Sequence, residues 1–278
     1  MNKTLIGKND YLFLINDNCR ELEVHCENLN LVKDENLLRY NINNFFMVVY
    51  PNKSLIHKKY LPDNYVIKYR PAIDIYTKKL NDKILDCYDI LKDHEDTYYK
   101  TDTHINLKGN KIIYDNFIEK INNVFGMDVK KINFTLKSKN VELCTVNRGI
   151  GDLTWGMNLG NQVLTDKNDT YFYTEDIEEL YCNYVIKKEN FIRLVNFNLE
   201  DVTDFYDNTI LSWNTVSNNI IYKKTLLETD KIIVIFYDSF LLNAINIYLE
   251  TFTTNGYNVY LIIVKKHKKC TNFFINKK

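Results

Sequence analysis

The sequence predicts an α/β fold whose central sheet is mainly parallel and covered by helices on both faces. Three apolar runs carry this prediction, at residues 45–51 (FFMVVYP), 231–236 (KIIVIF) and 258–264 (NVYLIIV). Continuous runs of this kind are typical of strands buried on both faces, whereas half-exposed strands alternate apolar with polar residues. Pro51 fixes the end of the first run, because proline cannot donate to a sheet ladder.

A helix is predicted between the last two strands. Apolar residues recur at steps of three and four in LLNAINIYLETF (241–252), which indicates one apolar helix face. These residues are Leu242, Ile245, Leu249 and Phe252. Strand, helix and strand together form a β-α-β unit, and its crossover is expected to be right-handed.

A longer helix is predicted over NLKGNKIIYDNFIEKINNVFG (106–126). Its apolar residues again share one face, and Gly126 stands where a helix terminator is expected. The apolar residues are Ile113, Phe117, Ile121 and Val124. His104 therefore lies at or just before the amino end of this helix.

Residues 127–230 are less regular. Strand character appears in KKINFTL (130–136), ENFIRLVNF (189–197) and NNIIYKK (218–224), and TEDIEEL (174–180) has that of a short helix. A chain of 278 residues can bury a sizeable core, and it contains no internal repeat or clear linker. We therefore expect a single domain over 1–278, with a small β-rich insertion within 127–230 as the alternative.

Composition narrows the class of protein. Lysine plus arginine and aspartate plus glutamate number 36 each, so no overall field attracts a phosphate backbone, and nucleic acid is not an expected partner. The 6 cysteines include no CxxC pair, and the first residues contain no signal-peptide core. No apolar run approaches the ~18 residues that span a bilayer. We expect an intracellular, cytoplasmic protein with no membrane segment.

The first candidate half-site lies in IIVIFYDSFLLNAI (232–245). Ser239 follows a strand and is expected to open the next helix, which puts its hydroxyl at the sheet edge where α/β proteins bind ligands. Backbone N–H groups and the positive helix end at this point are suited to hold a developing oxyanion. The alternative is structural, with Asp238 or Ser239 as a helix cap.

The second candidate half-site is TDTHIN (101–106). In an extended or turning segment, side chains two residues apart lie on one side, so the Asp102 carboxylate can hold an imidazole nitrogen of His104. A serine nucleophile needs such a pair, because the histidine removes the hydroxyl proton and the aspartate fixes its tautomer. The structural alternative makes Asp102 or Thr103 a helix cap and leaves His104 on the surface.

Several segments, taken in order, resemble one family. They are GKNDYLFLIND (7–17), VVYPNKSLIHKKYLP (48–62), YYKTDTHINLKG (98–109), GIGDLTWGM (149–157) and YDSF (237–240). The third carries a D-x-H motif, the fourth a GDL segment, and the last stands where the family has GDSF. Together they resemble the circularly permuted SGNH-hydrolase-like acetyltransferases of the alginate AlgJ/AlgX type, also called DHHW-like proteins.

The resemblance implies a three-layer α/β/α SGNH sandwich, which is flavodoxin-like, and a GDSL-like catalytic triad. Ser239 is then the nucleophile, His104 the general base and Asp102 the residue that orients the base. In this chemistry the serine takes an acyl group, usually acetyl, and passes it to a carbohydrate hydroxyl. An esterase or deacetylase with the same triad passes it to water.

The oxyanion and substrate side of the site is less defined. Its candidates are Asn214, Gly151, Tyr237 and Asp238. Asn214 could donate from its side chain and Gly151 from its backbone, while a role in a turn is the alternative for both residues.

Two positions depart from the family pattern. Tyr237 replaces the glycine of GDSF, so either the turn does not need a positive φ or the elbow is altered, and the ring would crowd the acyl pocket. Ile105 replaces the tryptophan expected after the histidine, which removes an aromatic wall for stacking on sugars. These changes leave a second hypothesis open, a catalytically degenerate member that binds glycan.

No metal and no tightly bound nucleotide is expected. The other histidines lie apart without the paired spacing of a metal site, and no Gly-rich loop precedes a helix. The acyl donor is left open between acetyl-coenzyme A and another acyl carrier, including a donor protein. Relatives in the resembled family are often exported.

Overall fold

The computed structural model describes residues 3–17, 20–27, 44–132, 136–145, 152–155, 164–173, 220–241 and 244–263. The chain divides into two compact units, Met1–Ile186 and Lys187–Lys278. Helices and strands are mixed in the first unit, and the second contains a three-stranded sheet with a helix. No helix in the part of the chain that the structure describes has the length and apolar character needed to cross a membrane.

The described strands and helices follow in chain order. The strands are Thr4–Ile6 (β1), Leu12–Leu14 (β2), Met47–Val49 (β3), Ile84–Asp86 (β4), Leu136–Thr145 (β5), Leu164–Tyr173 (β6), Ile220–Lys223 (β7), Ile232–Tyr237 (β8) and Asn258–Ile263 (β9). The helices are Glu21–Glu27 (α1), Lys53–Ile56 (α2), Pro71–Leu80 (α3), Cys87–Leu91 (α4), Leu107–Phe125 (α5), Asp152–Trp155 (α6) and Ile245–Thr254 (α7).

Within its described residues, the first unit has three strand pairs. Strands β1 and β2 pair antiparallel, β3 and β4 pair parallel, and β5 and β6 form a long antiparallel pair. The predicted strand at the FFMVVYP run is confirmed as β3, although its residues are half-buried where full burial was predicted. Strands β5 and β6 lie within 127–230, and the strand predicted at 130–136 is wrong for 130–132, which are not in a strand.

Helix α5 organises the core of the first unit. The Asn106 side chain caps it by accepting from the Gly109 N–H at 3.0 Å, and Gly126 ends it with a left-handed φ of 62°. The predicted helix and its terminator are thereby confirmed. Its buried apolar residues include Leu107, Ile113, Tyr114, Ile118 and Ile121. Since the cap fixes where α5 begins, it also fixes the loop that precedes it.

A second apolar cluster lies beside β2. Its buried members are Tyr11, Phe13, Leu22 and Leu61. The Leu12 N–H between the two aromatic residues donates to the Lys100 carbonyl at 2.9 Å, which ties β2 to the segment that carries Asp102 and His104. Through this hydrogen bond, the apolar cluster is connected to the segment of Asp102 and His104.

The second unit confirms the predicted β-α-β element. Strands β8 and β9 pair parallel, α7 connects them, and β7 pairs antiparallel on the other side of β9. Ile245, Leu249 and Phe252 are each 1% exposed, as their spacing predicted. Strand β8 is less buried than predicted: Ile232 is 40% and Phe236 44% exposed, because β8 is at the edge of this sheet.

Some predictions lie outside the described residues. These are the strand at 189–197, the short helix at 174–180 and the position of Leu242. The right-handed crossover, the single domain over 1–278 and the insertion within 127–230 stay predictions.

Candidate functional site

Asp102 and His104 form a hydrogen-bonded pair. The Asp102 Oδ1 lies 2.5 Å from the His104 Nδ1 and also accepts the His104 backbone N–H at 2.8 Å. Both side chains are partly buried, with 21% of the Asp102 side chain and 27% of the His104 side chain exposed. When Nδ1 donates to the carboxylate, the neutral imidazole carries its lone pair on Nε2, which is the protonation state a general base requires.

The pair lies in a loop that the backbone closes at its base. Tyr98 and Ile105 form an isolated antiparallel bridge, and the Asn106 N–H donates to the Thr97 carbonyl at 2.9 Å. Ile105 is fully buried at 0% exposure. Because the loop enters and leaves at fixed points, the two side chains two residues apart are held on one side of it.

The helix-cap alternative for this segment is wrong. Asn106 is the cap of α5, and neither Asp102 nor Thr103 fills that position. The Asp102 carboxylate instead accepts the backbone N–H of His104 in the same loop, and this places it beside the imidazole.

Asp152 is the residue at this site that sequence reasoning missed. Its Oδ1 accepts the Thr103 N–H at 2.8 Å and its Oδ2 accepts the Thr103 hydroxyl at 2.5 Å. The Asp152 N–H in turn donates to the Asp102 Oδ2 at 3.1 Å, and its Oδ2 lies 3.7 Å from the His104 Nδ1. The signal was present in the GDL segment, whose glycine was considered while its aspartate was not.

The start of α6 holds Asp152 in this place. The Leu153 N–H donates to the Thr101 carbonyl at 3.3 Å, and the buried Thr4 hydroxyl donates to the Leu153 carbonyl. The Leu153 side chain is 2% exposed. Because the N–H and the carbonyl of the buried Leu153 are both hydrogen-bonded, the position of the preceding Asp152 is fixed as well.

Opposite effects act on the two carboxyl groups. Burial alone would raise the pKa of Asp102, but the hydrogen bond and charge of His104 outweigh burial and hold the pKa below its usual value. For Asp152, burial and then the charge of Asp102 raise the pKa above its usual value. Asp102 therefore stays a carboxylate beside the imidazole, where it stabilises the positive charge that the ring gains on taking a proton.

Asp102, His104 and Asp152 also have the donor set of a metal site, since one ligand atom from each lies within 4.8 Å of the others. The expectation of no metal rested on the spacing of histidines and did not consider this group. In the arrangement described, a proton joins the Asp102 Oδ1 and the His104 Nδ1 at 2.5 Å. An ion bound between these two atoms would have to displace that proton.

Ser239 lies in the second unit, after β8. It is exposed, and it belongs to a turn in which the Asp238 Oδ1 accepts the Phe240 N–H at 2.9 Å and the Asp238 carbonyl accepts the Leu241 N–H at 3.3 Å. The prediction that Ser239 opens the helix is wrong, and so is the helix-cap alternative. The local turn delays the start of α7 to Ile245, whose N-cap is Ala244.

Tyr237 is unstrained where the resembled family has glycine. It is the last residue of β8, pairs with Ile263 in the parallel ladder, and does not have a positive φ. The ring is 6% exposed, and burial raises the pKa of its hydroxyl. The turn that carries Ser239 therefore does not require glycine at this position.

The structure brings Asp102, His104 and Asp152 together in the first unit. Ser239, Asp238 and Tyr237 lie together in the second unit. The two remaining site candidates, Asn214 and Gly151, lie outside the described residues.

Comparison with known proteins yields a likeness at the level of structure. No protein-family model matches the chain, and no curated protein sequence matches it. Bacillus cereus PatB1 aligns at 14% identity over 96% of this chain and 88% of its own, with a TM-score of 0.55. The structure of PatB1 with a sulfonyl adduct aligns at 14% identity over 94% of this chain and 87% of its own, with a TM-score of 0.55.

A third solved structure, the O-acetyltransferase domain of Pseudomonas putida AlgJ, aligns at 16% identity over 64% of this chain and 67% of its own, with a TM-score of 0.42. The alignment with PatB1 shows a likeness of fold. The AlgJ alignment adds nothing to that conclusion. At these identities the chemistry has to be argued from the residues of this chain.

Proposed function

We propose that this protein is a serine-dependent acyltransferase that moves an O-acetyl group onto a carbohydrate through an acyl-Ser239 intermediate. The observation that carries the proposal is the 2.5 Å hydrogen bond between the Asp102 Oδ1 and the His104 Nδ1. In a serine triad, the aspartate orients the histidine in this way, and the histidine is the general base that activates the serine. Ser239, exposed in the turn after β8, is the nucleophile of the proposal.

In the first half-reaction the Ser239 Oγ–H bond breaks and its proton passes to the His104 Nε2. The Oγ attacks the acyl carbon of the donor, and the leaving oxygen or sulfur departs with that proton. In the second half-reaction an acceptor hydroxyl gives its proton to Nε2 and its oxygen attacks the acyl carbon. The bond between the Ser239 Oγ and the acyl carbon then breaks, and the proton passes from Nε2 to Oγ, which restores the serine.

The acetyl group and the carbohydrate acceptor rest on the motif resemblance described above. A carbohydrate esterase or deacetylase with the same three residues is the alternative, because transfer and hydrolysis differ only in how well water is excluded from the acyl-enzyme. Acetyl-coenzyme A or a donor protein remains the proposed source of the acyl group. We further propose one three-layer α/β/α domain of the SGNH type, which is supported by the shared fold with PatB1.

The glycan-binding alternative without catalysis is motivated by Tyr237 and Ile105. Tyr237 is unstrained and needs no glycine-like backbone. Ile105 is fully buried beside Gly109, so an aromatic residue at position 105 would have no exposed face to offer a sugar. The backbone at Tyr237 and the burial of Ile105 are thus compatible with the proposed catalysis, while the crowding of the acyl pocket by the Tyr237 ring stays a prediction.

A sulfonyl fluoride is a suitable first probe, because a protein of this fold is known with a sulfonyl adduct. The wild-type protein should gain one sulfonyl group on Ser239, and the labelling should disappear in Ser239→Ala. Ser138→Ala, which removes another serine of the chain, is the matched control and should label normally. His104→Gln should label much more slowly, since the base that activates the hydroxyl is absent.

An activated acetyl ester then tests turnover. Acetyl-Ser239 that accumulates without an acceptor and is discharged by a sugar supports the transferase, and rapid discharge by water supports the esterase. If wild-type protein in an intact fold labels no faster than Ser239→Ala with either reagent, the proposed catalytic role of Ser239 is wrong. Binding to glycans without labelling would then favour the non-catalytic member.

A further inference from the structure

Lys53 is a buried lysine that contacts the loop carrying Asp102 and His104. The residue is 3% exposed. Its Nζ donates to the Lys100 carbonyl at 2.6 Å and to the Asp102 carbonyl at 3.1 Å. Both acceptors are backbone oxygens of the loop, so the ammonium group is hydrogen-bonded to the main chain on either side of Thr101.

The start of α2 and the loop are joined at further points. The Tyr98 hydroxyl donates to the Pro51 carbonyl, two residues before the lysine. The Lys53 ammonium also lies 5.5 Å from the ring centres of Tyr11 and Phe13, within the range of a cation–π contact. These contacts restrict the position of the Lys53 side chain, and its hydrogen bonds in turn restrict the backbone of the loop.

The charge of Lys53 costs free energy where it lies. An ammonium group removed from water is unfavourable unless its hydrogen bonds compensate, and an apolar side chain of similar length would fill the same volume without that cost. Besides its cation–π contacts, the ammonium donates hydrogen bonds to the Lys100 and Asp102 carbonyls, which an apolar side chain could not do. These bonds act on the residue that orients the imidazole.

We propose that Lys53 is a positioning residue for the Asp102–His104 pair, which fixes the backbone of the loop so that the carboxylate meets the imidazole in one orientation. The inference rests on the proposed function for its effect on turnover, but its structural part can be tested without activity. Lys53 touches no substrate in this role and acts only through Asp102.

Hydrogen exchange measures the structural part. The Thr103 and His104 amides are protected by the Asp152 and Asp102 carboxylates. In Lys53→Met these two amides should exchange about tenfold faster or more, while amides in the middle of α5 keep their wild-type rates. Lys58→Met is the matched control, because Lys58 is an exposed lysine on the same segment, and it should change neither set of rates.

Kinetics measures the functional part. Lys53→Met should lower kcat and the rate of sulfonyl labelling by about 10-fold to 100-fold with KM nearly unchanged, as a displaced base would. In Lys53→Ala, a small alkylamine such as propylamine should restore part of the labelling rate, whereas propanol should not. If Lys53→Met folds poorly, the Lys53→Ala protein with and without propylamine decides the question by the same exchange and labelling rates.

The outcomes separate the two proposals. If wild-type protein shows no labelling but the loop amides respond to Lys53, the proposed function fails and the positioning role stands. If exchange and labelling in Lys53→Met match the wild type, or if α5 amides accelerate as much as the loop amides, the positioning role is overturned. Equal rescue by propylamine and propanol would also overturn it, since only volume would then matter.

Discussion

Replacing His57 by phenylalanine should change how stability depends on pH by an amount that follows from the burial of this ring. His57 is 2% exposed and packs against the rings of Tyr11, Tyr60 and Tyr98. Its Nε2 is buried and has no hydrogen-bond partner among the described residues. Burial, and then the charges of neighbouring lysines, lower the pKa of His57 from 6.5 to about 3.

The sign follows from proton counting. Between pH 3 and 6.5 the unfolded chain binds a proton at His57 that the folded chain excludes, so the free energy of unfolding falls as the pH falls through this window. The contribution is fully present above pH 6.5. At about 1.36 kcal/mol for each pKa unit, it amounts to about 5 kcal/mol.

Glu21 acts in the opposite direction. It accepts from the Ser54 hydroxyl at 2.7 Å, and burial raises its pKa from 4.5 to about 7. The folded state therefore keeps a proton that the unfolded state loses, and stability falls as the pH rises from 4.5 to 7. Because the side chain is only partly buried, about 3 kcal/mol is an upper limit. Between pH 4.5 and 6.5 these two contributions nearly cancel, and below pH 4.5 that of Glu21 is constant while that of His57 continues to fall.

Urea denaturation from about pH 3.5 to about pH 8 separates them. Relative to wild type, the free energy of unfolding of His57→Phe should rise as the pH falls from 7 to 4.5, because the Glu21 effect is no longer offset by that of His57. That of Glu21→Gln should fall over the same range. His94→Phe, at an exposed histidine, is the control and should follow the wild type. Each variant is compared with itself at pH 8, which removes the packing cost of the substitution.

One result would refute the reasoning. If His57→Phe and wild type change in parallel between about pH 3.5 and about pH 6, no proton is taken up at His57 on unfolding. The ring would then be accessible to protons in the folded state, and the effect assigned to its burial would be absent.

Three further substitutions test the site and the helix that positions it. Asp152→Asn should lower the rate of acyl transfer about tenfold with KM unchanged, because the amide still accepts the Thr103 N–H but lacks the charge beside the imidazole; a rate equal to wild type would contradict this. Asn106→Ala should lower the free energy of unfolding in urea by about 1–2 kcal/mol, because the cap of α5 is lost. Asn106→Asp should also lower it, because the aspartate keeps the cap but puts a carboxylate oxygen where the Asn106 amide donates to the Asp96 carbonyl. Gly109→Ala should cost about 1–3 kcal/mol in the same assay, because a Cβ would lie 2.5 Å from the Ile105 side chain, and a neutral result would mean that this contact relaxes freely.

The patterns of neighbouring residues predicted α5, β8 and β9. The apolar spacing and Gly126 gave α5 nearly to the residue, and the two valine-rich and isoleucine-rich runs gave β8 and β9. The Asp102–His104 pair was also within reach of local reasoning, because two residues in one turning segment need no distant partner to meet.

Other features depend on contacts that the sequence does not display. Asp152 reaches the site from 50 residues away, and although the GDL segment belongs to the motif resemblance, the motif does not show that its aspartate contacts Asp102. A lysine such as Lys53 normally lies at the surface, so its burial could not be read from its type. The late start of α7 came from a competing turn at Asp238, which spacing alone does not reveal.

The hydrogen bonds around Asp102 have a consequence for motion. Its Oδ1 accepts twice from His104, and its Oδ2 accepts the Asp152 N–H, so the carboxylate is engaged at both oxygens. A group anchored at both ends cannot swivel without breaking at least one of these bonds. The imidazole that is hydrogen-bonded to this carboxylate is thereby restricted in its orientation, so in the proposed reaction the hydroxyl would have to approach Nε2 from the direction in which this nitrogen points.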